Sequence, residues 1–414
     1  MKPFTKCLFR LLAGSKRKRD SKERGGMLDA YVTKNNKKLR LGYTTGSCAA
    51  GAAKAAALCL LSGQVVPCVE LLTPKGILLR LEVLDQKRGP GWVSCAIEKD
   101  GGDDPDATHG LRIYAKVSFM ENWEESQISI EGGEGVGRVT KKGLEQPVGT
   151  AAINRVPREM IAKALEEACA QYGESRGLQV VISIPGGEKV AQKTFNPRLG
   201  IVGGLSVLGT SGIVEPMSEE ALIASIRAEI RMQLANGRAY LLLVPGNYGT
   251  EFLGEARREL LEEAIKCSNF VGEALDVAVT EGAKGVLLVG HIGKFVKLAA
   301  GIMNTHSRNA DGRMEILTAH GALQGADREL CRRLMDCVTT DEALDLLEAA
   351  GLLCPVMEGL LERMEYYVNH RCYGEIETGI ITFSRERGFL GQTRQAKKLL
   401  GRLEAQKKEC GQQS

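Results

Sequence analysis

Residues 196–220, NPRLGIVGGLSVLGTSGIVEPMSEE, divide the chain into two rhythms. Gly200, Gly203, Gly204, Gly209 and Gly212 stand among Ile, Val and Leu, with hydroxyls at Ser206, Thr210 and Ser211. Glycine serves where backbone turns left-handed or approaches another group closely. The stretch therefore reads either as a cradle for a ligand or as a buried crossover without one. Ser218 is placed to cap the helix that follows, and Glu219 and Glu220 suit its positive end. Leu222, Ile223, Ile226, Ile230 and Leu234 give that helix one apolar face, and Asn236-Gly237 ends it.

Downstream the order is strand, loop, helix. Strands are expected at Ala239–Val244 and Val286–Val289, helices near Leu253–Lys266, Val271–Glu281 and Lys294–Met303, and helical segments over about Met314–Ala350. A late strand, Ile376–Phe383, precedes a polar helix. Such alternation predicts a mostly parallel, helix-flanked, Rossmann-like sheet, whose ligands bind beyond the carboxyl ends of its strands. Upstream the pattern is α+β. An alanine-rich helix follows Gly42-Tyr43-Thr44-Thr45-Gly46-Ser47 and closes at Gly63. Strands are expected near Val69–Leu72, Ile77–Leu84, Val93–Ile97, Leu111–Phe119, Gln127–Ile130 and Gln179–Ile184. Between the last two, Pro157 opens a helix that Gly173 ends. The expected organisation is a disordered basic extension (1–36), an α+β domain (37–195), an α/β domain (196–395) and a polar C-terminal helix or tail (396–414).

At 414 residues, two domains are the natural expectation. Hydrophobic content of 43% and charged content of 26% are those of a globular protein. The net charge of +4 owes much to the first 40 residues, where Met27 is a candidate internal start. No aromatic residue interrupts the basic run Lys16–Arg24, so no nucleic-acid partner is expected. The apolar run Cys7–Ala13 is too short to span a bilayer and no cleavage site follows it, so neither a membrane nor a leader is expected. The twelve cysteines include no C-x-x-C pair. They read as free thiols in a reducing cytoplasm. Assembly as a homo-oligomer stays open.

Several loops carry chemistry-bearing residues. QISIEGGEGVGRVTKK (127–142) spells E-x-G-x-G-x-G through Glu131, Gly133, Gly135 and Gly137, a pattern that holds S-adenosylmethionine when a helix follows. Here Arg138–Gly143 reads as turn or hairpin, so an anion-binding nest with Arg138 and Lys141 is the competing reading. Gly290-His291-Ile292-Gly293-Lys294 lies between strand and helix but lacks the phosphate-loop spacing. His291 there is a candidate acid–base group, and the helix start a site for a ligand carboxylate. Lys99–His109 packs Asp100, Asp103, Asp104, Asp106 and His109 into one loop. That loop is either an acid–base or hard-metal site or a capped, solvated turn. No G-x-G-x-x-G supports nicotinamide chemistry.

GYTTGSCAAGAAKAA (42–56), KDGGDDPDATHG (99–110), EGGEGVGRVTK (131–141), KTFNPRLGIVGGLSVLGTSGIVEPMSEEAL (193–222), LLVGHIGKFVKLAAGIMNTHS (287–307) and ADGRMEI (310–316) occur in this order. In them the chain resembles the cobalt-precorrin-5B C(1)-methyltransferase family of anaerobic cobalamin biosynthesis, over roughly residues 37–395. Lys142 stands where proline is expected after VTK, and the basic extension lies outside the pattern. The resemblance implies transfer of a methyl group from S-adenosylmethionine to carbon 1 of a carboxylate-fringed corrinoid, cobalt-precorrin-5B, which carries its own cobalt, to give cobalt-precorrin-6A. No protein metal site is expected. His291, Asp104 and His109 are the catalytic candidates. Gly246, Asn247, Gly290 and Gly293, with Gly133 and Gly135, are the candidates for the cofactor. Arg138, Lys141, Lys193, Arg198, Thr210 and Lys294 are those for the substrate's carboxylates, each well-desolvated pair contributing about 1.5–3 kcal/mol. Two other readings stay open: a non-catalytic tetrapyrrole-binding or delivery protein, and a nucleotide-cofactor oxidoreductase.

Overall fold

The first half is built on a helix with almost no side chains. A computed structural model describes residues 28–120, 127–246, 260 and 263–411. In it Thr45–Ser62 is an 18-residue helix whose Ala49, Ala50, Ala52, Ala53, Ala55, Ala56 and Ala57 are fully buried. Small side chains bring neighbouring backbones close. The helix lies between Arg155–Tyr172 and the strands Trp92–Glu98 and Arg112–Phe119. Thr44 Oγ1 caps it by accepting from Ser47 N at 3.2 Å, and Gly63 ends it at φ 72°. By length and composition it could cross a membrane, but 72% of it is buried inside this fold.

The sheet beneath has five strands in the order Leu84–Gly89, Trp92–Glu98, Arg112–Phe119, Leu178–Ser183, Ile128–Gly132. Neighbours are antiparallel except the last pair, which is parallel. Trp92–Glu98, Leu178–Ser183 and Ile128–Gly132 therefore point the same way and deliver their loops to one edge. That edge carries Lys99–Gly110, Gly133–Gly137 and the start of the 184–205 segment.

The second sheet runs Ile265–Lys266, Tyr240–Val244, Gly285–His291, Glu377–Ser384, Gly388–Gln392. Its first three pairings are parallel and the last is antiparallel. The fold is thus mixed α/β with both parallel and antiparallel pairing in each sheet. Leu241, Leu243, Val286 and Leu288 pack on one face with the helices Val271–Thr280 and Leu353–Arg371. Leu242, Val244, Leu287 and Val289 pack on the other with Ala396, Leu399, Leu400 and Leu403. Burial on both faces explains the unbroken apolar strands.

Several expectations are corrected. Residues 31–34, assigned to the disordered extension, form a strand paired with Lys37–Arg40. The C-terminal helix Ala396–Gly411 covers the second sheet, and Arg402 donates to Tyr240 Oη at 2.7 Å. The glycine stretch packs with the first half, since Leu205, Val207 and Ile213 share its core. The division expected at 195/196 falls inside that packed segment. Leu222 is 42% exposed, whereas Glu229 on the same helix is buried against Arg198 at 2.7 Å. The expected apolar face is therefore rotated toward Ile226, Ile230 and Met232. The Lys294–Met303 helix is instead one short turn, Ile292–Phe295, and a 3₁₀ turn, Val296–Ala300. Most of the helix expected at 253–266 lies outside the described residues, and Ile265–Lys266 is a strand.

Gly135 makes the loop edge of the first sheet. Its φ is +71°, and a Cβ there would overlap the carbonyl oxygen of Ile184. Leu205 N donates to Gly135 O at 2.9 Å, locking the glycine stretch to the Glu131–Gly137 loop. Gly135→Ala should cost at least about 1–3 kcal/mol from the left-handed backbone alone, with the clash added. Urea unfolding of the variant beside the wild type measures it.

Candidate functional site

Three sequence blocks meet at the loop edge of the first sheet. A cavity of about 150 Å³ is lined by Thr44, Thr45, Lys99, Asp106, Thr108, Thr194, Asn196, Leu205, Ser206, Leu208 and Val214. Lys99 reaches it because Val93, Cys95 and Ile97 face inward along their strand and Lys99 continues that alternation. Its side chain is 3% exposed, and its ammonium pairs with Asp106. Burial pushes the Asp106 carboxyl up. Lys99 and the Thr108 hydroxyl and amide outweigh it and hold the group below the usual aspartate value.

The neighbouring loop is braced from outside. Arg40 Nη2 donates to Asp100 Oδ1 at 2.7 Å, and Arg40 N donates to Asp103 Oδ2 at 2.6 Å. Gly42 and Gly102 approach so closely that a Cβ on either would overlap the other strand's backbone. The positive end of the Thr45–Ser62 helix is tied to the glycine stretch. Gly46 N donates to Leu208 O at 3.1 Å, Leu208 N donates to Thr45 Oγ1 at 2.9 Å, and Ser47 Oγ donates to Gly212 O at 2.7 Å.

A second polar cluster lies at the carboxyl edge of the parallel strands. Lys294 Nζ donates to Asn269 Oδ1 at 3.0 Å and toward Pro245 O at 3.5 Å. Thr305 Oγ1 donates to the same Asn269 Oδ1 at 3.4 Å. Ser268 holds φ +54°, a strained backbone for a residue with a side chain. Burial lowers the Lys294 ammonium, with Cys267 opposing and Lys297 adding to the shift. Lys297 is buried, donates to Ala310 O at 2.8 Å and Thr305 O at 3.2 Å, and pins the loop between. Glu273 Oε2 is buried without a hydrogen-bond partner among the described residues.

His291 sits at this edge as a cap. Its Nδ1 accepts from Gly293 N at 3.0 Å, and its Nε2 lies 3.4 Å from Arg385 N. A neutral ring has one acceptor nitrogen, and the Gly293 contact gives that role to Nδ1. Burial lowers the pKa from its ordinary 6.5, Asp341 opposes, and Arg385 adds to the lowering.

The other anticipated site residues scatter. Asp104 accepts from Met217 N at 3.0 Å and holds that residue at φ +55°. His109 is exposed, with Nδ1 accepting from Gly101 N at 3.0 Å. Both brace loops beside the cavity without lining it. Gly133, Gly135 and Gly290 are packing glycines, since a Cβ would meet Ser183, Ile184 and Phe295 respectively. Gly293 abuts His291 and Thr340, whereas a side chain at Gly246 would meet no atom of the described residues within 4 Å. Asn247 lies outside the described residues. Arg138 is exposed and 3.3 Å from Glu131, and no helix follows Gly137, because Arg138–Val139 pairs with Ile201–Val202. Lys141, Lys193 and Thr210 are exposed. Arg198 is committed to Glu229 and Ala264 O, which makes it a tie between the halves and not a free carboxylate binder. Sequence reasoning passed over Lys99 and Asp106 as parts of a polar loop. The strand's alternation was the available signal. Among the described residues no cluster of three His, Cys, Asp or Glu side chains is arranged to hold a metal.

Two five-stranded sheets, each with a polar cluster at the edge that receives its loops, and a cavity against one of them, describe a mixed α/β protein. The chain belongs to the CbiD family: that family's model matches residues 32–216, and the model of the CbiD C-terminal domain matches residues 304–394. It is 48% identical over 357 residues to the cobalt-precorrin-5B C(1)-methyltransferase of Ruminiclostridium cellulolyticum, covering 86% of this chain and 92% of that one. The enzyme of the same name from Thermoanaerobacter sp. is 49% identical, with 88% and 98% covered. The 1.9 Å crystal structure of a cobalamin biosynthesis protein (cbiD) from Archaeoglobus fulgidus is 27% identical and aligns over 68% of this chain and 87% of that one, with a TM-score of 0.37.

The burial of His291 has a pH consequence. The folded state disfavours the imidazolium, so the unfolded chain binds more protons below 6.5 and stability falls as pH drops through the lowered folded value. His291→Asn keeps an oxygen acceptor for Gly293 N and removes the titration. Thermal melts from neutral pH down to pH 5 should show a smaller acid-induced drop in Tm for the variant.

Proposed function

We propose that the chain methylates carbon 1 of cobalt-precorrin-5B, with S-adenosylmethionine as donor, as part of cobalamin biosynthesis. The observation that carries this reading is nearly full-length identity of 48–49% to relatives of that name. The chain is read as an α+β domain followed by an α/β domain, the second a Rossmann-like unit. The ten cysteines with described side chains are free, which supports a cytoplasmic setting.

The carboxyl edge of the parallel sheet fits the amino-acid end of the donor. Lys294 offers a cation for a carboxylate, and Glu273 Oε2 is a buried acceptor in need of a donor. Bound there, S-adenosylmethionine supplies an electrophilic methyl on a sulfonium. Asn269 holds the Lys294 ammonium from one side, Thr305 orients Asn269, and Lys297 fixes the chain bearing Thr305. Displacement at the methyl needs little covalent help. Holding the ring carbon in line with the leaving sulfur is the main contribution, up to about 7–11 kcal/mol in favourable cases. The macrocycle is placed between this edge and the glycine loops of the first domain, whose exposed Leu208 and Val202 offer apolar surface to a flat ring.

Purified protein with both substrates should yield a corrinoid heavier by one methyl group and release S-adenosylhomocysteine, followed by mass spectrometry. Binding of the corrinoid with no product, beside an active relative as control, would favour the delivery-protein reading. Lys294→Met should raise KM for S-adenosylmethionine by on the order of tenfold to a hundredfold, the worth of one charge-assisted bond. An unchanged donor KM would place the donor elsewhere.

A further inference from the structure

The cavity at the first sheet's edge has a job that methyl transfer by the second domain leaves unassigned. Lys99 is the group that matters. An ammonium carries three N–H donors, yet among the described residues the Lys99 ammonium has Asp106 as its one partner. It is 97% buried by side chain, the complement of its 3% exposure, and it lines an open cavity of about 150 Å³. Buried donors left without acceptors are costly, and the cavity is where an acceptor could enter.

The surroundings select what enters. Asp106 already accepts from Lys99 and from the Thr108 amide (2.8 Å) and hydroxyl (2.6 Å), so most of its acceptor capacity is engaged. Asn196 and Ser206 bond each other at 3.3 Å, and Asn196 Nδ2 is spent on Gly204 O. Leu205, Leu208 and Val214 form apolar wall. The positive end of the Thr45–Ser62 helix borders the cavity through Thr44 and Thr45. Its dipole favours negative charge and offsets the excess that a ligand anion would add to the neutral Lys99–Asp106 pair. An apolar stem with a terminal oxygen acid satisfies every one of these groups.

We infer that this cavity binds one carboxylate-bearing arm of the macrocycle, its terminal oxygens accepting from the free N–H groups of Lys99, and thereby sets which edge of the ring faces the donor. This rests on the corrinoid reading above. Leu208, 48% exposed, stands at the mouth and continues the ring-facing surface. Lys99 in this role is a substrate-anchoring residue and takes no part in bond making.

The test uses the full-length protein with two variants and two ligands. Lys99→Met combined with Asp106→Asn removes both charges at once and so avoids stranding a buried carboxylate. Leu208→Trp blocks the mouth and leaves the ion pair intact. In each, Kd for cobalt-precorrin-5B, followed by its absorbance, should rise at least tenfold, with KM for S-adenosylmethionine within twofold of wild type. The discriminating readout is ligand preference. Wild type should bind the acid form at least tenfold more tightly than its fully amidated derivative, and the double variant should lose that preference. A folded double variant that keeps both affinity and acid preference would overturn the inference and leave the pair as a loop brace. Should the double variant fail to fold, unchanged corrinoid affinity in Leu208→Trp overturns it as well. Wild-type protein that binds the acid form but transfers no methyl would defeat the catalytic reading and leave the anchoring pocket standing.

Discussion

The first domain depends on backbones coming closer together than any side chain permits. Gly135, Gly187 and Gly204 converge so that a Cβ on the second or third would overlap Gly135 itself. Gly42 is equally tight against Gly101 and Gly102, and Gly209 against Thr44. These three approaches draw the 42–47, 99–110, 131–137 and 196–212 segments onto one sheet edge. The alanine helix Thr45–Ser62 makes the same demand from below. Without that closeness Thr44, Lys99 and Asn196 would not share a cavity. The glycines therefore shape the cavity through the geometry they impose, and the polar residues between them line it.

Charge is then placed into a frame that tolerates few errors. Lys99–Asp106 and Arg198–Glu229 each bury at least one partner almost completely. Such pairs contribute little net stability relative to apolar packing, yet breaking one is expensive, so they specify arrangement more than they stabilise it. Lys99–Asp106 fixes the loop after the strand Trp92–Glu98. Arg198–Glu229 ties the glycine stretch to the first helix of the second domain, with help from Asn236 Nδ2 donating to Lys142 O at 2.9 Å. The two halves are thus joined through the very segment that forms the cavity wall.

Much of the architecture was legible. The helices opened by Ser218 and ended by Gly63 and Gly173 appear within a few residues, because caps and left-handed glycines are local signals. Most strands of the two five-stranded sheets were legible from alternation or unbroken apolar runs, but Leu84–Gly89, Ile265–Lys266 and Gly388–Gln392 were not. The helix Leu353–Arg371 was missed, and so was the hairpin of residues 31–40. In the first, Gly351 and Pro355 punctuate the start, and in the second a run of lysines masks alternation. The site was less legible. His291 was read as an acid–base candidate, and the structure shows its Nδ1 capping the turn that follows by accepting from Gly293 N two residues on. Arg198 was read as a ligand group and is an internal tie, because Glu229 lies a domain away. Lys99 was readable in principle from the alternation of its strand.

Sequence alone determined most of the elements and their order, the largely parallel character of the second sheet and the family, since caps, periodicity and long motif blocks are written along the chain. Only the tertiary structure decided which glycines pack and which leave room, which lysine is buried, and to which half residues 196–213 belong. Those outcomes depend on contacts between residues tens to more than a hundred positions apart, such as Lys99 beside Ser206 in one cavity. No local pattern of residue types records the partner a side chain will meet there.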